Sequence, residues 1–386
     1  MFIYNLIKPA ILVGVILSLN GCASFADRLV TGVTLDPPYE ASAEAAKLHQ
    51  TLTIIDLHAD PLLWERDLLS RNNRGHVDLP RLQEGNVALQ VFGVVTGAPF
   101  PIGMENNKDS GDLITLLASL QNWPEETYDS RLQRALYQAG KLEERVTASK
   151  GAMQIILNRH DLENLIKKRQ GGELVIGALL SLEGAHALEG NPENINILYD
   201  SGFRMLGLAH LFDNEMAGST HGVERHGLTD KGRDMLKRAL SLDMIIDLAH
   251  ASPQTIDEVL EIVDQPVMAS HGGVRGTCDT ARNLSDRQIR GIAATGGVIG
   301  IGVYEYATCG KTMEDTVRAM QYVVDLVGIK YVALGSDFDG ATTVVDATGL
   351  VLLTEALQKA NFTANDIKAI MGENALRVFR KTLPAN

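Results

Sequence analysis

"LTIIDLHAD", residues 52–60, is an apolar run that stops on a histidine flanked by acids. Ile54, Ile55 and Leu57 read as a buried β-strand, because an unbroken apolar, β-branched run suits a strand covered on both faces. Side chains at i and i+2 lie on one face of a strand, so His58 and Asp60 converge on one point at its end. An imidazole and a carboxylate aimed together point to a metal. Asp56, on the same face but one step deeper, reads as a hydrogen-bond acceptor for a ligand histidine rather than as a ligand.

Seven further runs of the same kind follow: "VALQVFGVV" at 87, "LVIGALLSL" at 174, "FRMLGLA" at 203, "MIIDLA" at 244, "PVMAS" at 266, "GVIGIG" at 297 and "YVALGS" at 331. Between most of them lie helical patterns such as "TDKGRDMLKRALSL" (229–242), where Met235, Leu236, Ala239 and Leu240 form one stripe. Strand and helix in alternation imply a parallel sheet with helices outside, and eight such units close most naturally into a TIM-type (β/α)8 barrel. An open doubly wound sheet is the alternative, but no GxGxxG follows the first strand. The largest insertion, residues 100–173 between strands 2 and 3, contains two helical patterns, "DLITLLASLQNWPEE" and "SRLQRALYQAGKLEERV", and reads as a helical cover.

Aligned on their C-terminal ends, the runs carry a common feature. The first ends at His58 and Asp60, the third at Glu183, the fourth at His210, the fifth at His250, the sixth at His271 and the eighth at Asp337. A (β/α)8 barrel gathers those ends at a single mouth, where active sites of this fold are built. A lone histidine beside a strand is more often a core residue than a ligand; seven coincident placements outweigh that default. His49, His76, His160, His221 and His226 lack the placement and are assigned surface or loop roles, and His186 is ambiguous. Catalytic zinc takes about three protein ligands, so the five groups His58, Asp60, Glu183, His250 and His271 are too many for one ion. Two ions about 3.5–4 Å apart need a bridging carboxylate, for which Glu183, arriving from another strand, is the candidate. Two cations bring a shared water's pKa towards neutrality and polarise a carbonyl, as amide hydrolysis requires. Asp337 is the candidate proton carrier, and Asp339 is expected to support the local turn.

The rest of the composition narrows the class. With 386 residues, 45% hydrophobic, the chain builds a large core, and its formal net charge of −13 argues against nucleic-acid or anionic-membrane partners. "PAILVGVILSL" (9–19) is too short to span a bilayer and reads as a signal-peptide core. It runs into "LNGCAS", which resembles the lipobox of bacterial lipoproteins, although Asn20 stands where a small residue is more usual. Residues 1–21 are thus expected to be a lipoprotein signal peptide, Cys22 the lipidation site, and 22–45, with Pro37-Pro38, a tether. A single domain then spans 46–386, on a protein lipid-anchored in the bacterial cell envelope and facing the periplasm. Cys278 and Cys309 are compatible with a disulfide or with two buried thiols.

The ordered motifs "IIDLHAD", "SLEGAH", "GLAHLFDN", "MIIDLAH", "VMASHGGVRGTCDTARN", "LGSDFDG" and "GENALRVF" resemble those of the membrane (renal) dipeptidases, metal-dependent amidohydrolases, over residues 52–380. The resemblance implies two zinc ions per chain: His58 and Asp60 on one, His250 and His271 on the other, Glu183 bridging, with the bridging hydroxide as nucleophile. It implies that His210 contacts the substrate and steadies the tetrahedral intermediate, that Arg282 binds the dipeptide carboxylate, and that Asp337 shuttles the proton. It further implies dipeptide substrates and homodimers. "HADPLLW" and "VFGVVTG" depart from the family's usual run at the pocket wall, which bears on side-chain preference rather than on the reaction. The competing readings are another amide or lactam hydrolase or a deaminase on the same barrel, and a metal-binding lipoprotein without turnover.

Overall fold

The computed structural model describes residues 24–385; the expected signal peptide, 1–21, and the expected lipidation site, Cys22, lie outside them. Nine parallel strands form one sheet: β1 (Ile54–Ala59), β2 (Val87–Val95), β3 (Met153–Ile155), β4 (Ile176–Glu183), β5 (Phe203–Gly207), β6 (Ile245–Asp247), β7 (Met268–Ala269), β8 (Val298–Ile301) and β9 (Val332–Leu334). Eight of them run β1-β2-β4-β5-β6-β7-β8-β9 around a TIM-type barrel, and they are the eight read from the sequence. The barrel closes just past the strand ends, where Asp60 N–H donates to the Phe338 carbonyl at 2.8 Å and Asp337 N–H to the His58 carbonyl at 3.2 Å. Every residue of β1, β2 and β4 is buried, which explains why those strands read as continuous rather than alternating apolar runs.

The insertion after β2 holds the helices Leu113–Leu120, Glu126–Asp129 and Arg131–Ala148, as expected of a cover, a further helix, Arg159–Gln170, outside the two patterns read from the sequence, and one strand the sequence did not reveal. This is β3, which pairs with Ile176–Ala178 at the start of β4, while β5 takes the second half of the same edge. At three residues it is too short to carry a period. The closing segment packs Gly372 so tightly on β1 that a Cβ there would overlap the Thr53 carbonyl.

The stretch expected to be a tether is, from residue 24 onward, tied to the barrel. Residues 24–30 form a helix whose Asp27 is buried and ion-paired with Arg66 and Arg74, and Thr34 and Leu35 donate backbone hydrogen bonds to Thr343 and Val344. Ion pairs and backbone bonds of this kind leave no apolar period in the sequence.

His49 and His76, assigned surface or loop roles, are both buried. His49 Nε2 faces the Gly85 carbonyl at 3.1 Å, so it carries the proton, and Nδ1 accepts from the Thr354 hydroxyl at 2.8 Å. Burial lowers its pKa to about 4. An unfolded-chain histidine protonates near 6.5, so the unfolded state binds the extra proton and stability falls as pH drops from about 6.5 to about 4. In a His49→Gln variant that loss should shrink by about 3 kcal/mol, measured by denaturant titration of both proteins at about pH 7 and about pH 4. Equal losses in the two proteins would refute the assignment.

Candidate metal centre

At the end of β1, His58 Nε2 lies 3.3 Å from Asp60 Oδ1, the convergence that strand geometry predicts. Room for the pair comes from two glycines: a Cβ at Gly93 of β2 would overlap Asp60 and the His58 ring, and one at Gly340 would overlap Asp60 and Asp337. Glu183, the last residue of β4, reaches into the middle. Its Oε1 is 3.4 Å from His58 Nε2, 3.3 Å from His250 Nε2 and 3.6 Å from His271 Nε2, and its Oε2 is 3.6 Å from His210 Nε2. The Nε2 atoms of His250 and His271 are 2.8 Å apart, and the His58 and His271 rings stack at 3.9 Å.

The donor atoms form three overlapping groups, each within 4.8 Å: His58 with Glu183 and His271, Glu183 with His210 and His250, and His58 with Asp60 and Asp337. All seven residues expected at the mouth are therefore brought together, with Glu183 and His58 each shared by two groups. The backbone is held against its preference to do so, since His250 and Asp337 have φ of 61° and 63°, in the left-handed region.

Two side-chain chains fix which nitrogen each histidine offers. His221 Nδ1 faces the Met104 carbonyl at 2.7 Å and must donate to it. Its Nε2 is then an acceptor for His250 Nδ1–H at 3.0 Å, leaving the His250 Nε2 lone pair facing Glu183. On the other side Asp247 Oδ2 takes the Ser270 hydroxyl proton at 2.5 Å, so Ser270 Oγ accepts from His271 Nδ1 at 2.9 Å and the His271 Nε2 lone pair also points inward. Hydrogen bonds of this kind orient ligand histidines at metal sites.

These partners were not foreseen. His221 had been assigned a loop role, yet it is buried, and its pKa is lowered to about 4 by burial. Asp247 and Ser270 carried a weak signal in their spacing, three residues before His250 and one before His271. Asp56 proves not to accept from a ligand ring. It takes Ser336 N–H and hydroxyl and the Gln90 amide, joining β1 to the segment after β9. Asp339 likewise reaches beyond its own turn, accepting from the backbone of His76 at 2.7 Å and Val77 at 3.2 Å and pairing with Arg66 at 2.9 Å. His186 stays outside the cluster, bonded to Thr96.

The electrostatics ask for positive charge. Burial, then Asp60, holds Glu183 well above the usual carboxylate range, and burial pushes Asp337 up to about 6. Burial works to lower His58, but Asp60 and Glu183 hold it well above its ordinary value. Burial lowers His250 and His271, with Arg282 adding to it, and takes His210 down to about 3. Both ring nitrogens of His58, Asp60 Oδ1, Glu183 Oε2 and His210 Nδ1 are buried without a hydrogen-bond partner. Orphans of this kind are costly, and His58 Nε2 faces both Asp60 Oδ1 and the Glu183 carboxylate. Neutral imidazoles with inward lone pairs and crowded carboxylates, with no thiolate, fit zinc-type divalent cations.

The cluster opens into a cavity of about 480 Å³ that Arg282 and Tyr304 also line. Arg282 is itself buried and anchored through Nη2 to the His271 carbonyl at 2.6 Å.

An uncharacterized dipeptidase of Schizosaccharomyces pombe is 26% identical over 365 residues, 87% of this chain and 83% of that protein. A metallo peptidase from Rhodobacter sphaeroides, solved with a phosphinate mimic of the dipeptide L-Ala-D-Ala, shares the fold with TM-score 0.70 and 24% identity over 86% of this chain and 99% of that one. The probable dipeptidase PvdM from Pseudomonas aeruginosa gives TM-score 0.73 and 19% identity over 88% and 98%. Residues 42–385, nearly the whole described domain, match the membrane dipeptidase family, Peptidase family M19, and the chain belongs to that family of metallopeptidases.

Proposed function

We propose that the protein is a binuclear zinc dipeptidase that releases free amino acids, with His58, Asp60, Glu183, His250 and His271 as the metal ligands. The observation that carries this reading is Glu183, whose carboxylate lies within 3.6 Å of His58, His210, His250 and His271 while Oε2 has no hydrogen-bond partner. Two zinc ions held by this set would supply an activated water and polarise the scissile carbonyl.

The remaining work falls to the chain's own groups. Arg282 takes the free carboxylate of the dipeptide through its planar fork, which its bond to the His271 carbonyl holds in place. His210, neutral in its buried setting, donates an N–H to the carbonyl oxygen as charge collects there. Asp337 accepts the proton lost when water adds to the carbonyl carbon and returns it to the departing amine as the C–N bond breaks. The dipeptide mimic bound by the Rhodobacter sphaeroides neighbour belongs to the same substrate class.

Lipid anchoring at Cys22 and a periplasm-facing site complete the proposal. They are supported by the lipobox-like "LNGCAS" and by a disulfide between Cys278 and Cys309, a bond that persists in oxidising compartments. Among the described residues no helix is long and apolar enough to cross a membrane.

Metal analysis of the purified protein, coupled to dipeptide hydrolysis, tests the reading. About two equivalents of zinc are expected, with activity lost to a chelator and restored by zinc, and with dipeptides cleaved far faster than their C-terminal amides. A folded protein that takes up no metal, or one that cleaves the amides equally well, would overturn it.

A further inference from the structure

The cavity above the cluster has two unlike sides. One side is polar and bears Arg282. The other is apolar, built from Ala26 and Val30 of the helix at 24–30, Leu63 and Trp64 after β1, and Ile114 and Leu117 of the helix Leu113–Leu120. The strand order fixes their relation. Arg282 follows β7, the sixth strand around the barrel, whereas Leu63, Trp64, Ile114 and Leu117 rise from the segments after β1 and β2, the first and second, half a turn away, and the helix at 24–30 that bears Ala26 and Val30 packs on them.

The wall is held firmly. The Trp64 indole N–H donates to the Asp339 carbonyl at 2.9 Å. Arg66 bridges Asp339 and Asp27, joining the helix at 24–30 to the loop that carries Asp337. That helix precedes the family match, which begins at residue 42, so this part of the wall lies outside the matched region.

Building on the dipeptidase reading, we propose that this wall is an apolar subsite for the amine-side residue of the substrate, and that it selects dipeptides with a large apolar side chain there. With the carboxylate on Arg282 and the scissile carbonyl over Glu183, the amine-side residue lies across the mouth against Ala26, Val30, Trp64 and Leu117. Rigid, preformed apolar surface of this kind gains on the order of fourfold in affinity per buried methylene, and a polar side chain of equal size gains none of it.

The test is kcat/KM of the zinc-loaded full chain for Leu-Ala, Ala-Ala and Asn-Ala. Leu-Ala is expected to exceed both of the others by on the order of 50-fold. Ala26→Trp, which fills the wall, should cut the ratio of Leu-Ala to Ala-Ala by roughly tenfold or more, and Val30→Trp should do the same from the next turn. The ratio does not depend on the folded fraction, so a poorly folding variant still reports. Dipeptide cleavage with equal rates for Leu-Ala and Asn-Ala, or ratios unchanged in both tryptophan variants, would overturn the subsite and leave the dipeptidase reading standing. No cleavage of any dipeptide would remove that reading, and the subsite with it.

Discussion

A Glu183→Gln protein is expected to lose roughly 10⁴-fold or more of its dipeptide turnover and to hold at most one zinc, while its metal-free form melts no lower than the metal-free wild type. The loss follows from position. Among the described residues Glu183 is the one carboxylate near His58, His250 and His271 together, so a neutral amide there leaves the two halves of the site without a common anion. Without that anion the site forfeits the roughly nine-unit drop in water pKa that bound cations provide. The stability half follows from burial: desolvation, reinforced by Asp60 and Asp337 beside it, pushes the pKa of the metal-free carboxylate up. Removing one of three crowded acids relieves repulsion in the empty site, as expected where a site is built for function at the expense of the fold. Metal analysis with thermal melts, with and without zinc, checks both halves. Zinc should raise Tm strongly in the wild type and weakly in the variant. A variant that keeps two zinc ions and its activity would end the bridging role.

How much of this was legible in the sequence depends on how local each feature is. The barrel was, because β1, β2 and β4 are buried on both faces and announce themselves as unbroken apolar runs. Even β6 and β7, three and two residues long, were found because their apolar runs extend past the hydrogen-bonded part. The ligand set was legible because the fold places every strand end at one mouth, so position along a run stands in for position in space.

Features whose partners lie far along the chain were not legible. His49 is buried by Thr354, 305 residues away, and His221 is oriented by Met104, 117 residues before it; nothing in the flanking residues encodes either contact. Asp56 was read as an acceptor for a ligand histidine and Asp339 as a support of its own turn, whereas their partners, Ser336 at 280 residues and His76 at 263, close the barrel and brace the mouth. The helix at 24–30 was invisible for a related reason, as the partners of Asp27 (Arg66 and Arg74) and the apolar cluster under Ala26 and Val30 all lie farther along the chain. Arg282 had only the family resemblance to mark it. Its place in the cavity comes from the loop after β7, which folds back until Nη2 meets the His271 carbonyl.

For Asp337→Asn the expected pattern is different: kcat falls roughly 10²- to 10⁴-fold, KM changes little, and both zinc ions stay. Asparagine keeps the shape of the site. It tolerates the left-handed backbone that Asp337 adopts at φ 63°, and it is no larger, so the close approach to Gly340 survives. What it lacks is an oxygen that can take and return a proton. Burial, opposed by His58 and reinforced by Asp60, brings the Asp337 carboxyl up to about 6, close to the range in which a group passes protons efficiently near neutral pH. Yet Asp337 also groups with His58 and Asp60 within 4.8 Å, an arrangement that suits a third ligand as well as a proton carrier. Metal content separates the two roles. An Asn variant that is slow with its zinc complement intact assigns Asp337 to proton transfer, and one that loses a zinc ion together with its activity makes Asp337 a ligand and leaves the proton to another group.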